Sequence, residues 1–195
     1  MSTLKVPVTA RDHIRGSLDA PVVMVAYADF QCPYSAQAYL SVKALEREAG
    51  DLLAIVFRHF PHATIHPYAE LAAEAAEAAA AQGNFWEMHD MLFENQESLA
   101  RADLLDYATR LGLDGTQFAR DLSEHRYESN VHDHFMGGVR SGVDGTPGLF
   151  INGVRHMDSY EAASLLAAVV HAGGNAEAPR PPGSQPRARP ATRHR

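Results

Sequence analysis

A thiol stands at what the sequence marks as the start of a helix. Cys32, the chain's one cysteine, lies in Phe30-Gln31-Cys32-Pro33-Tyr34-Ser35. The thiolate is the nucleophilic form of cysteine, and the free N–H groups and positive dipole end of a helix start favour it. Cysteines so placed titrate at roughly 3.5–7.5 instead of ~8.5, and each unit of such a shift is worth about 1.36 kcal/mol. The chemistry this points to is thiol–disulfide exchange. Ser35 stands where a dithiol site carries its second cysteine, so no internal disulfide can close. Its hydroxyl is instead a candidate donor to the thiolate, a charge-assisted bond worth about 1.5–3 kcal/mol when aligned. Asp29, just ahead of the helix, has two readings: a proton relay near Cys32, which would also oppose thiolate formation, or a loop-capping carboxylate.

The other tempting residues carry blander expectations. Among the eleven histidines, His132 and His134 are two apart and point to different faces of one predicted helix, and His125 lies earlier on the same stretch. His62 and His66 sit in a loop between Pro61 and Pro67. None has a cysteine at metal spacing, so solvated or locally bonded histidines are expected and no metal site. Phe85, Trp86, Met88, Met91 and Leu92 read as core, and Asp144 as a turn-shaping residue.

The elements that must position Cys32 follow from local pattern. Pro21 to Ala28 is a near-continuous apolar run, as a strand buried on both faces requires. Pro33 suits a first helical turn, where its missing N–H costs nothing. Pro33 and Tyr34 thus shape the entry of a helix predicted over 33–49, which Gly50 ends. Leu52 to Phe60 is a second buried strand, completing a right-handed βαβ unit. From Tyr68 to Ser141 the pattern is helical throughout: 68–81, 85–93, 99–111, 117–122 and 124–141, punctuated by Gly83-Asn84, Gly112 and Gly115. β signals return with Leu149-Phe150-Ile151, the Asn152-Gly153 hairpin turn and Val154 to Met157. Ser159 caps a last helix over 160–172.

Composition sets the frame. At 195 residues, 46% hydrophobic and 21% charged, the chain suits one globular domain. No apolar run approaches the ~20 residues of a membrane helix. Met1 to Arg15 has no apolar core of a secretory signal, and one cysteine excludes a disulfide framework. The expected compartment is therefore the reducing cytoplasm. The net charge of −7 divides into +4 on residues 175–195 and −11 on the rest. So acidic a body argues against nucleic-acid binding through the fold. Residues 174–195, rich in Pro and Arg, are predicted to be a disordered, solubilising tail.

The order of elements, together with Asp29-Phe30-Gln31-Cys32-Pro33-Tyr34, Phe57-Arg58-His59-Phe60-Pro61, His66-Pro67-Tyr68-Ala69, Phe85-Trp86-Glu87-Met88-His89-Asp90, and Gly145-Thr146-Pro147 followed by Phe150-Ile151-Asn152-Gly153, resembles the DsbA-like branch of the thioredoxin superfamily. It is also similar to the thioredoxin-like domains fused to some bacterial sodium/proton antiporters. The resemblance implies an α/β thioredoxin-like fold, βαβ…ββα with a central mixed sheet, and an inserted all-helical subdomain. The corresponding division is an N-terminal extension over 1–18, the thioredoxin-like domain over 19–62 and 142–173, and the insertion over 63–141. It further implies that Pro147 is cis and lies against Cys32, that Thr146 presents a backbone edge to an extended substrate, and that Tyr34 tunes the thiolate. Two departures stand out. Ser35 removes the resolving cysteine, and Gly148 replaces a larger residue after the proline, which is expected to widen the groove.

The leading functional expectation is a monothiol oxidoreductase. Cys32 forms a mixed disulfide with a protein disulfide or S-thiolated protein, and glutathione, another low-molecular-weight thiol or a partner protein's thiol resolves it. Pro33, Tyr34, Thr146 and Gly148 would bind substrate, with no tightly bound cofactor. A redox-inactive binding or chaperone-like module is the alternative, with Cys32 a small buried hydrophobe. A glutathione-dependent transferase or isomerase, with Ser35 activating the cofactor thiol, is the third.

Overall fold

The computed structural model describes residues 2–174; of the predicted tail, residues 175–195 lie outside them, and Gly174 ends the last helix. A five-stranded mixed sheet runs in the order β1-β3-β2-β4-β5. Its strands are β1 (His13–Arg15), β2 (Val22–Ala28), β3 (Leu53–His59), β4 (Gly148–Ile151) and β5 (Val154–Arg155). β2 and β3 are parallel, and every other pairing is antiparallel. The β2–β3 crossover is α1 (Pro33–Ala49), with both bounds where the sequence puts them.

The near-continuous apolar character of β2 and β3 follows from burial on two sides. Met24, Ala26 and Ile55 face a layer built from Leu45 and Ala49 of α1 and Leu165 and Val169 of α7 (Ala162–Gly174). Val25, Tyr27 and Val56, which alternate with them, face Phe60, Val143 and Phe150. Between β3 and β4 the chain is helical: α2 (Ala69–Ala80), α3 (Phe85–Glu94), α4 (Arg101–Arg110), α5 (Gly115–Ser123) and α6 (Glu128–Arg140). The buried alanines of α2 let its neighbours approach closely, and their core runs on into Ala28, Phe30 and Phe57 of the sheet side. α6 returns to the sheet, where Phe135 stacks on Phe60 at 4.5 Å. Asn152 and Gly153 both take positive φ, 46° and 80°, as a two-residue hairpin between β4 and β5 demands.

The N-terminal stretch is more than an extension. β1 is the edge strand beside β3, and Thr3 bridges Val154 at the opposite edge of the sheet. The reason lies in Arg58 of β3, whose buried guanidinium is held by Asp12 (Nε–Oδ1, 2.7 Å) and by the carbonyls of Val6 and Pro7 (2.9 Å each). A three-residue strand of His, Ile and Arg has too little alternation to read from sequence.

One buried group makes the fold sensitive to acid. His89 of α3 packs among Phe30, Tyr39, Phe57 and Phe93 and bonds Asp90 through Nδ1 at 2.8 Å. Burial pushes its imidazolium down to about 4, further than the neighbouring Asp90 can raise it. In the unfolded chain a histidine takes up its proton near pH 6.5. Stability is therefore full above pH 6.5 and is lost as pH falls toward 4, by about 3 kcal/mol over the whole window. His89→Gln is expected to flatten that limb of the urea midpoint against pH. An unchanged slope would assign the acid sensitivity to other groups.

Candidate active site

The loop from the end of β2 to α1 is built around Asp29, which is 1% exposed. Its Oδ1 accepts the N–H of Gln31 at 2.8 Å, and its Oδ2 accepts the N–H of His62 at 2.9 Å and bonds His66 Nδ1 at 2.7 Å. Asp29 thus clamps the cysteine loop to the 61–67 loop. Both carboxylate oxygens are committed, and among the described residues neither bonds Cys32. These are the bonds of a carboxylate that ties its own loop to a neighbouring one.

Cys32 is the N-cap of α1, with extended backbone (φ −76°, ψ 123°), and Pro33 opens the helix. The Cys32 N–H donates to Asp29 O at 3.1 Å. Cys32 is 4% exposed, and its Sγ donates to the Thr146 carbonyl at 3.4 Å. The Thr146–Pro147 peptide is cis, and the Pro147 carbonyl accepts the Tyr160 hydroxyl at 3.0 Å. Cys32, Thr146 and Pro147, over a hundred residues apart, therefore meet at one point.

Ser35 is close by but differently engaged. It is 1% exposed, and its Oγ accepts the Asp29 N–H at 3.3 Å. Among the described residues it makes no hydrogen bond to Cys32 Sγ. Gly148 does not open the groove either. A Cβ there would meet Val143 Cγ1 at 2.9 Å, so the glycine makes room for the side chain beneath β4. Tyr34, 68% exposed, does line a groove of about 780 Å³ with Thr146, Pro147, Met157 and Tyr160. Pro33, at the start of α1, is exposed.

Two supporting residues left no sequence signal. Gln96 Nε2 donates to the carbonyls of Phe30 (2.6 Å) and Cys32 (3.0 Å), and Gln31 Oε1 accepts the Tyr68 N–H at 2.8 Å. Gln96 lies in the α3–α4 connection, and neither spacing nor periodicity could link it to Cys32. Among the histidines, His66 bonds Asp29 and His125 bonds Glu74 at 2.9 Å.

A βαβ unit and a β-hairpin with a closing helix, joined by a helical insertion, with a helix-capping cysteine against a cis-proline, define a thioredoxin-type protein of DsbA-like architecture. The thioredoxin family model matches residues 9–170, and the chain belongs to that family. It is 48% identical over 170 residues to the Na(+)/H(+) antiporter NhaA 1 of Salinispora arenicola, and 42% identical over 161 residues to that of Mycolicibacterium vanbaalenii. These alignments cover 87% and 82% of this chain. The chain spans about a quarter, 26%, of the length of either relative. Among solved structures, oxidised BdbD of Bacillus subtilis matches with TM-score 0.79 at 19% identity, covering 89% of this chain and 99% of that one. A thioredoxin-like oxidoreductase of Silicibacter pomeroyi DSS-3 matches with 0.75 at 25%, covering 86% and 95%. Alpha-DsbA1 of Wolbachia pipientis matches with 0.73 at 18%, covering 89% and 96%. Among the described residues no helix is long and apolar enough to cross a membrane.

Proposed function

We propose that the chain is a monothiol thiol–disulfide oxidoreductase with Cys32 as nucleophile. The observation that carries this reading is the meeting of Cys32 Sγ, at the cap of a 17-residue helix, with the Thr146 carbonyl and the cis-proline that follows it. In the first step the Cys32 thiolate attacks one sulfur of a protein disulfide or a protein–glutathione disulfide. The old S–S bond breaks, a mixed disulfide forms on Cys32, and the leaving sulfur departs as thiolate. In the second, an external thiolate such as glutathione attacks the other sulfur of that mixed disulfide, regenerating Cys32 and forming a new disulfide. Ser35 cannot carry out this second step. Tyr34, Thr146 and Pro147 hold the substrate edge. A glutathione-rich, reducing compartment such as the cytoplasm suits this cycle.

Reduced protein incubated with glutathione disulfide is expected to gain one glutathione by intact mass and to lose it on adding reduced glutathione. Ser35→Cys supplies a resolving thiol in the same chain, and its adduct is expected to collapse to an internal disulfide. A wild-type protein that forms no adduct would end the proposal.

One observation favours a second reading, the redox-inactive binding module: Cys32 is 4% exposed and its thiol proton is taken by a carbonyl. Alkylation separates the two. Fast labelling at a pH about two units below the ordinary thiol value supports exchange, and labelling confined to alkaline pH supports the module. The transferase reading is weakened because the hydroxyl it needs, on Ser35, is buried against Asp29.

A further inference from the structure

Three side chains unused by the exchange chemistry meet where the sheet abuts the helical segment. His13 of β1 and His59 of β3 each point Nε2 at the same atom, Oε1 of Glu77 on α2, at 2.7 and 2.8 Å. The three potential ligand atoms lie within 4.8 Å of one another. His59 is 0% exposed and Glu77 6%, while the His13 ring, stacked on Phe85 at 3.4 Å, keeps a partial opening to solvent. A second observation concerns His59 itself: its Nδ1 is buried with no hydrogen-bond partner. Folding has therefore spent two imidazoles on one carboxylate oxygen and left a buried ring nitrogen unpaired.

We propose that His13, His59 and Glu77 form a binding site for a divalent transition-metal ion of the zinc class. Two imidazoles and one carboxylate are a donor set that zinc uses, with a fourth position left for water. Imidazole donors select such ions over magnesium or calcium. The lines from the two Nε2 atoms cross at Glu77 Oε1, so a small withdrawal of that carboxylate opens the crossing point. An ion at that point lies 2.7–2.8 Å from the two Nε2 atoms, so zinc–ligand distances of about 2.0–2.2 Å are reached when Glu77 rotates and the two imidazoles draw in by about half an ångström. An imidazole ligates through an unprotonated Nε2 with its proton on Nδ1, so the cation takes the place of the two Nε2–Oε1 contacts. His134 lies outside the set: its Nδ1 accepts the His59 backbone N–H at 3.4 Å, and its ring stacks on His59. The ion would cross-link β1, β3 and α2, which come from three separate parts of the chain.

Co²⁺, added to metal-free Cys32→Ser protein so that the thiol takes no part, is the spectroscopic probe. The expected result is one Co²⁺ per chain with the visible absorption of a four-coordinate ion, displaced by Zn²⁺, and a rise in Tm with Zn²⁺ concentration. His13→Ala and Glu77→Gln are each expected to weaken binding at least about tenfold and to remove the Zn²⁺-dependent Tm rise. His13 is the less buried ligand, so its replacement tests the site with the smaller risk to folding, which circular dichroism checks. Glu77→Gln keeps the side-chain shape and serves if the first variant does not fold. Absence of a Co²⁺ band, or a band that neither substitution alters, would overturn the proposal.

Discussion

Cys32→Ser is expected to lower thiol–disulfide exchange by at least about a thousandfold, because a hydroxyl at neutral pH has almost no anionic form and breaks no S–S bond. The measurement is the steady-state reduction of a fluorogenic disulfide peptide with reduced glutathione as the electron source. Every other contact at the site survives the substitution. Asp29 still bonds Gln31, His62 and His66, and the Thr146–Pro147 edge keeps Tyr160 on its carbonyl. The expected effect therefore falls on turnover and leaves stability almost unchanged. If Cys32→Ser keeps more than a tenth of the wild-type rate, exchange is not the chemistry of this site. If wild type and variant are equally inactive while both bind unfolded peptide, the binding module is the better account.

The second large effect falls on the fold. Asp12→Ala is expected to cost about 3–5 kcal/mol, the usual result of stripping the partner from a buried ion pair. The side chains of Arg58 and Asp12 are 3% and 6% exposed. Burial alone would raise the Asp12 carboxyl, but the hydrogen bonds from Arg58 and from the Thr9 N–H more than offset it and hold it below the usual range. Without Asp12, Arg58 keeps the Val6 and Pro7 carbonyls and the Tyr27 hydroxyl, all neutral acceptors, and its charge stays buried. A loss of this size is a large fraction of the ~5–15 kcal/mol that ordinarily holds a domain together. The urea midpoint reads it. Arg58→Met in the same chain is expected to recover part of the loss, since no unpaired charge then remains. A midpoint for Asp12→Ala within about 1 kcal/mol of wild type would mean that solvent reaches Arg58 freely and that the N-terminal stretch is weakly held.

The difference between these two residues marks what could be read in advance. Cys32 declares itself through its neighbours: an apolar strand before it, Pro33 after it, and a helix that follows. Asp12 and Arg58 are 46 residues apart, and nothing near either names the other. β1 went unread for the same reason, being three residues long and fixed by register against β3.

The sequence by itself determined the order of the elements from β2 onward, the place of the single thiol, the Asn-Gly hairpin and, through Ser35, the lack of an internal resolving cysteine. Those features rest on backbone periodicity, helix and turn propensity and covalent identity, which act over a few residues. The tertiary structure alone decided the rest. It turned the Ser35 oxygen to the Asp29 N–H and away from the thiol, and it used Asp29 as a clamp on His62 and His66. It packed Val143 against Gly148 and brought Gln96 to the cysteine loop. It also gathered His13, His59 and Glu77 around one oxygen. Each of these is a contact between distant segments, set by strand register and helix packing. A short polar side chain has several partners within reach, and only the packed fold selects one.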